Sequence, residues 1–229
     1  MDNPTNINFY CLSGLGADGR LFAEFKPDFG KVINLNYFDP INKDETLAAY
    51  AKRLAKYIDD AHPFILVGIS LGGILATEIA RIKQPKAIIY LSTIKSSQEK
   101  TGIFDLIKRL KIPYIFTFKR IQKFIGFVKW YFNSKEEYLL FKDMLRKTSP
   151  LFGQWAMLQT IKWEGNQANA PFIHINGKMD ELFPVAAGNG VYLVPDKRHD
   201  MTLNSWPILN PIINKWLKEL NLISLKDDK

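Results

Sequence analysis

The sequence has few of the residues that form disulfides and metal sites, with one cysteine and three histidines among 229 residues. Cys11 has no second cysteine to pair with, and its apolar neighbours predict a buried thiol. No group of cysteines and histidines has metal-ligand spacing, so we expect neither a metal nor another cofactor. The chain also lacks an apolar run long enough to span a membrane, and residues 1–6 lack the cationic start of a signal peptide. We therefore expect a cytoplasmic protein.

Short apolar runs alternate along the chain with helical patterns. Hydrophobic residues make up 47% and charged residues 24% of the sequence, as in ordinary globular domains. The alternation predicts a single α/β domain with three layers (αβα), in which helices cover both faces of a mostly parallel sheet of about six strands. The strands are predicted near residues 7–12, 31–36, 64–69, 87–92, 171–176 and 190–194, and helices near 46–60, 71–83 and 206–220.

A nucleophilic serine is indicated at Ser70, which stands in the sequence Gly-Ile-Ser-Leu-Gly between Gly68 and Gly72. The apolar run 64–67 precedes this G-x-S-x-G motif and a helical pattern follows it, which is the strand–turn–helix setting that the motif requires. The turn is so tight that the positions two residues either side of the serine must lack bulky side chains. The alternative is a glycine-rich turn without catalytic function.

A serine nucleophile needs a base, and histidine is the usual one. His199 lies in a loop after the apolar run 191–194, a position from which a mobile imidazole can reach the serine. His174 alternates within a predicted strand and is expected to be packed there, and His62 precedes a proline in a predicted turn. We therefore predict that His199 is the base.

Asp180 is the carboxylate predicted to orient this base. It follows the predicted strand 171–176 through a short loop, so it lies at a strand end as His199 does. Glu181 is the neighbouring alternative, whereas Asp200 is too close to His199 along the chain for an easy contact with its Nδ1.

Two backbone N–H groups are predicted to bind the oxyanion that forms on a substrate carbonyl. One belongs to Leu71, the residue after the nucleophile. The other is expected from the glycine-rich loop 13–19, and we assign it to Leu15. The glycines of this loop also match the dinucleotide-binding pattern G-x-G-x-x-G. That alternative fits poorly, because the acidic residue it needs, Asp39, stands directly before a proline.

These residues together resemble the α/β-hydrolase superfamily, and most closely its small single-domain bacterial hydrolases with a helical cap. The chain order of serine, aspartate and histidine is that of this superfamily, and not that of chymotrypsin or subtilisin. The resemblance implies a hydrolase fold that begins at the third strand, without the first antiparallel pair. It runs through SGLG at 13–16, GISLGG at 68–73, HINGKMD at 174–180 and KRHDM at 197–201.

The chain departs from the superfamily pattern in two places. Relatives often have His-Gly in the oxyanion loop, where this chain has Ser13 and Gly14. They often have glycine before the base, where this chain has Lys197 and Arg198. Neither departure removes a catalytic atom, but the second places two cations at the pocket rim, where we expect them to affect substrate choice.

Residues 95–165 break the alternation of strand and helix. We predict that they form a helical cap inserted between two parts of the hydrolase core, 1–94 and 166–229. The cap contains 14 Lys and Arg against 6 Asp and Glu, whereas the rest of the chain has 17 of each. The whole formal charge of +8 therefore falls in the cap.

The basic cap, whose cations are interleaved with aromatic residues, allows four interpretations. The aromatics can line an apolar substrate pocket while the cations face solvent. The cap can instead lie on an anionic membrane surface, or attract an anionic substrate such as an acyl group on a phosphate-bearing carrier. Nucleic-acid binding is not predicted, because no recognition motif accompanies the charge. The predicted pocket residues are Phe116, Phe127, Trp130, Met179 and Met201.

The predicted function is hydrolysis of a small-molecule carboxylic ester or thioester through an acyl-enzyme on Ser70, with His199 and Asp180 completing the triad. Two alternatives stay open, because a fold does not fix a reaction. One is an acyltransferase. The other is a ligand-binding or membrane-surface protein of this fold with a vestigial triad.

Overall fold

Six strands form a single sheet in the computed structural model, which describes residues 7–102, 104, 109–110 and 117–220, without the side chain of Val128. The sheet has the order β2-β1-β3-β4-β5-β6, and every neighbouring pair is parallel. The prediction of about six mostly parallel strands is confirmed, although β2 ends two residues earlier than predicted. The strands are β1 (Asn8–Leu12), β2 (Lys31–Asn34), β3 (Phe64–Ile69), β4 (Ala87–Leu91), β5 (Phe172–Gly177) and β6 (Val191–Val194).

The predicted helices are present, and each is shorter than its sequence pattern. The pattern 46–60 forms an α-helix that ends at Leu54 and continues as a 3₁₀ turn, Ala55–Tyr57. Thr46 fixes its start, because the hydroxyl accepts a hydrogen bond from the N–H of Ala49 at 3.1 Å. The α-helices are α1 (Leu47–Leu54), α2 (Leu71–Ala80), α3 (Phe118–Phe124), α4 (Lys135–Lys147), α5 (Pro150–Lys162) and α6 (Trp206–Glu219).

Two apolar cores lie on the two faces of the sheet, because successive strand side chains point to opposite faces. In β1, Tyr10 packs towards α1, α2 and α5, whereas Phe9 and Cys11 pack towards α6. Cys11 is 1% exposed, as the sequence predicted, and burial raises the pKa of its thiol. The three layers expected from the sequence are therefore present.

The segment between β4 and β5, predicted as a cap, has two different parts. Its last helix, α5, packs into the core of α1 and α2 through Phe152 and Trp155, and the indole N–H of Trp155 donates to the carbonyl of Glu45 at 2.7 Å. Helices α3 and α4 instead share a small apolar cluster of their own, which includes Tyr138 and Leu145. The division of the chain into core and cap stays a prediction, but α5 belongs structurally to the core layer.

Within the described parts of the chain, no helix is both long enough and apolar enough to cross a membrane.

Replacing Trp155 with alanine is expected to destabilise the protein strongly. The side chain is 2% exposed, so its removal leaves a cavity and an unpaired carbonyl at Glu45. Core tryptophan-to-alanine changes cost about 3–5 kcal/mol of unfolding free energy. Urea denaturation followed by circular dichroism measures the change. Trp130→Ala is the matched control, because Trp130 is 75% exposed, and equal losses in the two variants would contradict the assignment of α5 to the core.

Candidate active site

Ser70 stands at the turn between β3 and α2 with φ 53° and ψ −119°, in the region of positive φ that side chains rarely adopt. Neighbouring strands and the helix hold this conformation. Its N–H donates to the carbonyl of Leu91 at the end of β4 at 3.0 Å, and its carbonyl accepts from the N–H of Gly73 at 2.9 Å. The motif's prediction of a strained serine between strand and helix is confirmed.

The glycines around Ser70 are required by close backbone contacts. A Cβ on Gly68 would lie 2.5 Å from the carbonyl oxygen of Gly72, and one on Gly72 would lie 2.0 Å from the carbonyl oxygen of Leu12 in β1. Both distances are below van der Waals contact with backbone atoms that have no room to move. Only glycine fits at either position, as the sequence analysis predicted.

The structure brings Ser70, His199 and Asp180 into one hydrogen-bonded chain. Nε2 of His199 lies 3.1 Å from Oγ of Ser70, and Nδ1 lies 2.9 Å from Oδ2 of Asp180. The three residues come from the carboxyl ends of β3, β6 and β5, which meet at one edge of the parallel sheet. With the imidazole proton on Nδ1, the ring donates to the carboxylate and its Nε2 can accept the serine proton.

Asp180 is held rigidly, with its side chain completely buried. Its Oδ1 accepts from the N–H groups of Leu182 and Phe183 at 2.9 and 2.8 Å, and the amide of Asn176 lies 3.4 Å from Oδ2. These donors leave the edge of the carboxylate that faces His199 free to accept from the ring.

The two rival carboxylates have other environments. Glu181 is turned away and forms an ion pair with Arg198 at 3.2 Å, with both side chains well exposed. Asp200 follows the base, and burial raises the pKa of its carboxyl group. Nδ1 of His199 contacts the carboxylate of Asp180, with Oδ1 and Oδ2 at 3.1 and 2.9 Å.

The loops that carry the acid and the base are joined through their backbones. The N–H of Met179 donates to the carbonyl of Lys197 at 2.9 Å. A Cβ on Gly177 would lie 2.3 Å from that same carbonyl oxygen, so glycine at the end of β5 permits the approach. This contact sets the separation between Asp180 and His199.

The two predicted oxyanion donors belong to segments that lie next to the serine. Leu71 is the first residue of α2, where backbone N–H groups have no acceptor within the helix. A Cβ on Gly14 would lie 3.3 Å from Cβ of Ser70, so the loop that carries Leu15 lies against the nucleophile. Their roles stay predictions.

The dinucleotide alternative loses support, because the glycine loop is followed by a four-residue 3₁₀ helix, Gly19–Phe22, and not by an α-helix that could bind a pyrophosphate.

A buried polar network, not found from the sequence, connects the nucleophile turn with the acid. Thr93, after β4, donates its hydroxyl proton to the carbonyl of Ser70 at 2.6 Å. The N–H of Thr93 donates to Oδ1 of Asn176 at 3.1 Å, and the amide of Asn176 is the group close to Asp180. Flanking glycines mark the nucleophile turn in the sequence. No comparable local pattern marks Thr93, so its contact with the turn could not be predicted from the sequence.

The other two histidines lie away from Ser70 Oγ. His174 is fully buried in β5, its Nε2 is 2.9 Å from the carbonyl of Thr93, and burial lowers the pKa of its imidazole. Its packed position agrees with the prediction from the strand pattern. His62 lies near the surface, with Nδ1 3.2 Å from Asp59.

The four predicted pocket residues that the structure describes are not gathered in one place. Phe116 lies outside the described residues, and Met201 is 1% exposed in the core against α6. Phe127, Trp130 and Met179 are 77%, 75% and 58% exposed, so they face solvent. A cavity of about 180 Å³ lies beside the glycine-rich loop 13–19, lined by Ser13, Ala17, Asp18, Leu35, Asn36, Tyr37, Phe38, Asp39, Met144, Lys147, Thr148, Ser149 and Phe152.

The described part of the chain contains no group of three or more His, Cys, Asp or Glu side chains arranged to hold a metal ion.

Comparison with protein-family models and with curated protein sequences gives no match. Solved structures match over almost the whole chain. A carboxylesterase of the ammonia-oxidizing thaumarchaeon Nitrososphaera gargenis gives a TM-score of 0.77 at 14% identity, with 96% of this chain and 93% of that chain covered. MenH from S. aureus gives 0.72 at 18% identity, covering 96% and 97%. A thermophilic esterase from Thermogutta terrifontis gives 0.67 at 16% identity, covering 96% and 92%.

These similarities, together with the parallel six-stranded sheet between helices, show that the chain has the α/β-hydrolase fold. The resemblance read from the sequence motifs is confirmed at the level of the fold. Because identities of 14–18% establish the fold alone, the catalytic roles of Ser70, His199 and Asp180 stay predictions.

Replacing Asp180 with asparagine is expected to slow the reaction of Ser70 with a fluorophosphonate by roughly 10⁴-fold, as in other triads where the base loses its orienting carboxylate. Glu181→Gln is the matched control, because Glu181 pairs with Arg198, and its labelling rate should stay within about twofold of wild type. The pseudo-first-order labelling rate measures both. A large loss in Glu181→Gln with little change in Asp180→Asn would reverse the assignment.

Replacing Thr93 with valine is expected to slow the same reaction by roughly three- to tenfold, because one buried hydrogen bond to the strained turn is lost. Thr93→Ser keeps the hydroxyl and should restore the rate. Thr77→Val removes another buried threonine hydroxyl, which lies 3.0 Å from the hydroxyl of Tyr90 and 3.2 Å from the carbonyl of Gly73 but does not contact Ser70, and serves as the control. If Thr77→Val slows labelling as much as Thr93→Val, the effect is general destabilisation and not positioning of Ser70.

Proposed function

We propose that the protein is a serine hydrolase that cleaves carboxylic esters or thioesters through an acyl-enzyme intermediate. The observation that carries the proposal is the hydrogen-bonded chain from Ser70 Oγ through His199 to the buried carboxylate of Asp180. A serine hydroxyl is a weak nucleophile on its own, and an adjacent oriented imidazole is what activates it.

In the proposed acylation step, Oγ of Ser70 attacks the carbonyl carbon while Nε2 of His199 takes the hydroxyl proton. Asp180 stabilises the resulting imidazolium through its bond to Nδ1–H. The tetrahedral intermediate collapses as the bond from carbon to the leaving oxygen or sulfur breaks. The imidazolium then returns its proton to that atom, which leaves an acyl ester on Ser70.

Deacylation repeats the sequence with water. Nε2 of His199 takes a proton from a water molecule as its oxygen attacks the acyl carbon, and the same proton then returns to Oγ of Ser70 as the carboxylic acid leaves. In both steps the N–H groups of Leu71 and Leu15 are proposed to bind the oxyanion. Such preorganised donors contribute several kcal/mol to transition-state stabilisation.

The ester or thioester preference draws on the structural neighbours and on the site itself. Among the matching structures are ones described as a carboxylesterase and as esterases. The cavity beside Ser13 has Tyr37, Phe38 and Phe152 among its lining residues, and we propose that these rings contact the acyl chain. No cofactor enters either step of this proposal.

The cations that replace glycine before the base contribute to the proposed specificity. The guanidinium carbon of Arg198 lies 4.3 Å from the centroid of the Tyr131 ring, and Arg198 also pairs with Glu181. The side chain is therefore held between the base loop and the 3₁₀ helix Ile125–Tyr131, which follows α3. We propose that this fixed cation narrows the rim of the site.

The test is labelling with a fluorophosphonate probe followed by mass spectrometry of the modified peptide. Wild type should be labelled at Ser70, Ser70→Ala should not react, and His199→Ala should react roughly 10⁴- to 10⁶-fold more slowly. Ser205→Ala is the matched control, because Ser205 is a buried serine on the opposite side of the sheet from the nucleophile helix. Its labelling should equal that of wild type.

A panel of esters and thioesters of increasing acyl length then measures kcat/KM for the labelled protein. Turnover of at least one class, lost in Ser70→Ala, is the expected result. If the folded wild type neither reacts with the probe nor turns over any ester, the triad is inactive and the protein is a binding protein of this fold. If turnover of an acyl donor requires an added alcohol or amine, the protein is an acyltransferase.

A further inference from the structure

Three large aromatic side chains face solvent on the segment Phe118–Tyr131. Phe124, Phe127 and Trp130 are 51%, 77% and 75% exposed, and the ring centroids of the first two lie 5.8 Å apart. Residues Ile125–Tyr131 form a 3₁₀ helix, which has about three residues per turn, so positions three apart align in one row along one face. We call Phe124, Phe127 and Trp130 the aromatic row.

The neighbouring rows of the same helix have different characters. Ile125 is 6% exposed and, with Tyr131, forms the row that turns inwards. Lys123, Gly126 and Lys129 form the third row, and all three are exposed. The helix therefore has a buried row, an exposed aromatic row and an exposed basic row. The solvent-facing side of this helix is itself amphipathic, because an apolar row and a basic row lie side by side on it. An exposed apolar patch bordered by polar residues is typical of an interaction site.

Along the chain, the charged residues on either side of the aromatic row have one sign. Residues 117–134 contain four Lys and Arg and no Asp or Glu. Lys119, Lys123 and Lys129 are exposed, and Nζ of Lys123 lies 6.0 Å from the ring centroid of Phe124. Aromatic rings that enter the boundary between headgroups and acyl chains, next to lysines that meet anionic headgroups, are typical of helices that bind membrane surfaces.

We propose that the aromatic row and its lysines dock the protein on an anionic phospholipid surface. A lipid surface satisfies both features together, because the rings enter its apolar layer while the lysines remain at the phosphates. The three exposed lysines supply electrostatic attraction to anionic headgroups, and the rings supply the apolar contact that this attraction alone lacks.

The docking surface lies next to the proposed catalytic loop. Tyr131 ends the 3₁₀ helix, and its ring lies against Arg198, the residue before the base. Docking therefore brings the mouth of the site close to the lipid. The consequence for substrates rests on the proposed function. A hydrolase site close to lipid favours substrates whose acyl chains are long enough to partition into the membrane.

Co-sedimentation with vesicles tests the docking directly. Wild type and Ser70→Ala should bind equally to vesicles of phosphatidylcholine mixed with phosphatidylglycerol, with much weaker binding to phosphatidylcholine alone. Ser70→Ala separates the two proposals, because loss of hydrolysis leaves docking intact. High salt should weaken the binding, since lipid and protein charges are then screened.

Variants of each row test which residues dock. Phe127→Ser with Trp130→Ser should weaken binding about tenfold or more, whereas Ile41→Ser, at a side chain 72% exposed elsewhere, should not. Lys123→Glu with Lys129→Glu should also weaken binding about tenfold or more. The matched charge control is Lys52→Glu with Lys56→Glu, two exposed lysines on and just after α1.

Fluorescence gives a second readout that is specific to Trp130. Of the five tryptophans, Trp130 is exposed, Trp216 is partly buried, and the other three are buried. Brominated phosphatidylcholine in the anionic vesicles should quench the emission of wild type. Trp130→Phe keeps an apolar ring, so it should still bind, but the quenching should disappear.

Three outcomes overturn the proposal. One is a folded wild type that does not bind anionic vesicles. Another is vesicle binding that is unchanged in both the aromatic-row variant and the lysine variant, or that the control variant Lys52→Glu with Lys56→Glu loses to the same extent. The third is vesicle binding no stronger than background together with tight, row-dependent binding of single-stranded RNA, which would assign the surface to nucleic acid.

Discussion

The close backbone packing around Ser70 is the constraint on which the rest of the site depends. The positive φ of Ser70 is unfavourable for a side chain, so the surrounding structure must hold it. Gly72 lies in direct contact with the end of β1, Gly68 with α2, and the carbonyl of Ser70 accepts bonds from Gly73 and Thr93. The turn is therefore fixed by three strands and a helix, and a Cβ added at Gly68 or Gly72 displaces a backbone.

The parallel sheet explains why distant residues meet. Strand ends of one polarity lie along one edge, so the loops after β3, β5 and β6 converge although Ser70 lies more than a hundred residues before Asp180 and His199. Convergence alone does not set hydrogen-bond distances. The approach of Gly177 to Lys197 fixes the two outer loops against each other, and two backbone donors fix the carboxylate of Asp180.

The segment between β4 and β5 combines a structural and an exposed part. Helix α5 completes one face of the core through Trp155, while the helices before it form a small cluster whose outer surface is basic and aromatic. Because Tyr131 contacts Arg198, this outer part is coupled physically to the loop of the base. Lys123 and Lys129 therefore lie on or beside a segment that contacts the loop of the base.

The sequence by itself determined the strands, the main helices and the residues of the hydrogen-bonded chain, because each leaves a local signal. Apolar runs mark buried parallel strands, glycines mark the turn, and few histidines leave few choices of base. Tertiary structure decided the network of Thr93 and Asn176, the place of α5 in the core, and the exposure of Phe127 and Trp130, which we had expected in a pocket. Aromatic residues in helices have the same local pattern whether they face a core, a cavity or a partner, so only packing between distant segments separates these cases.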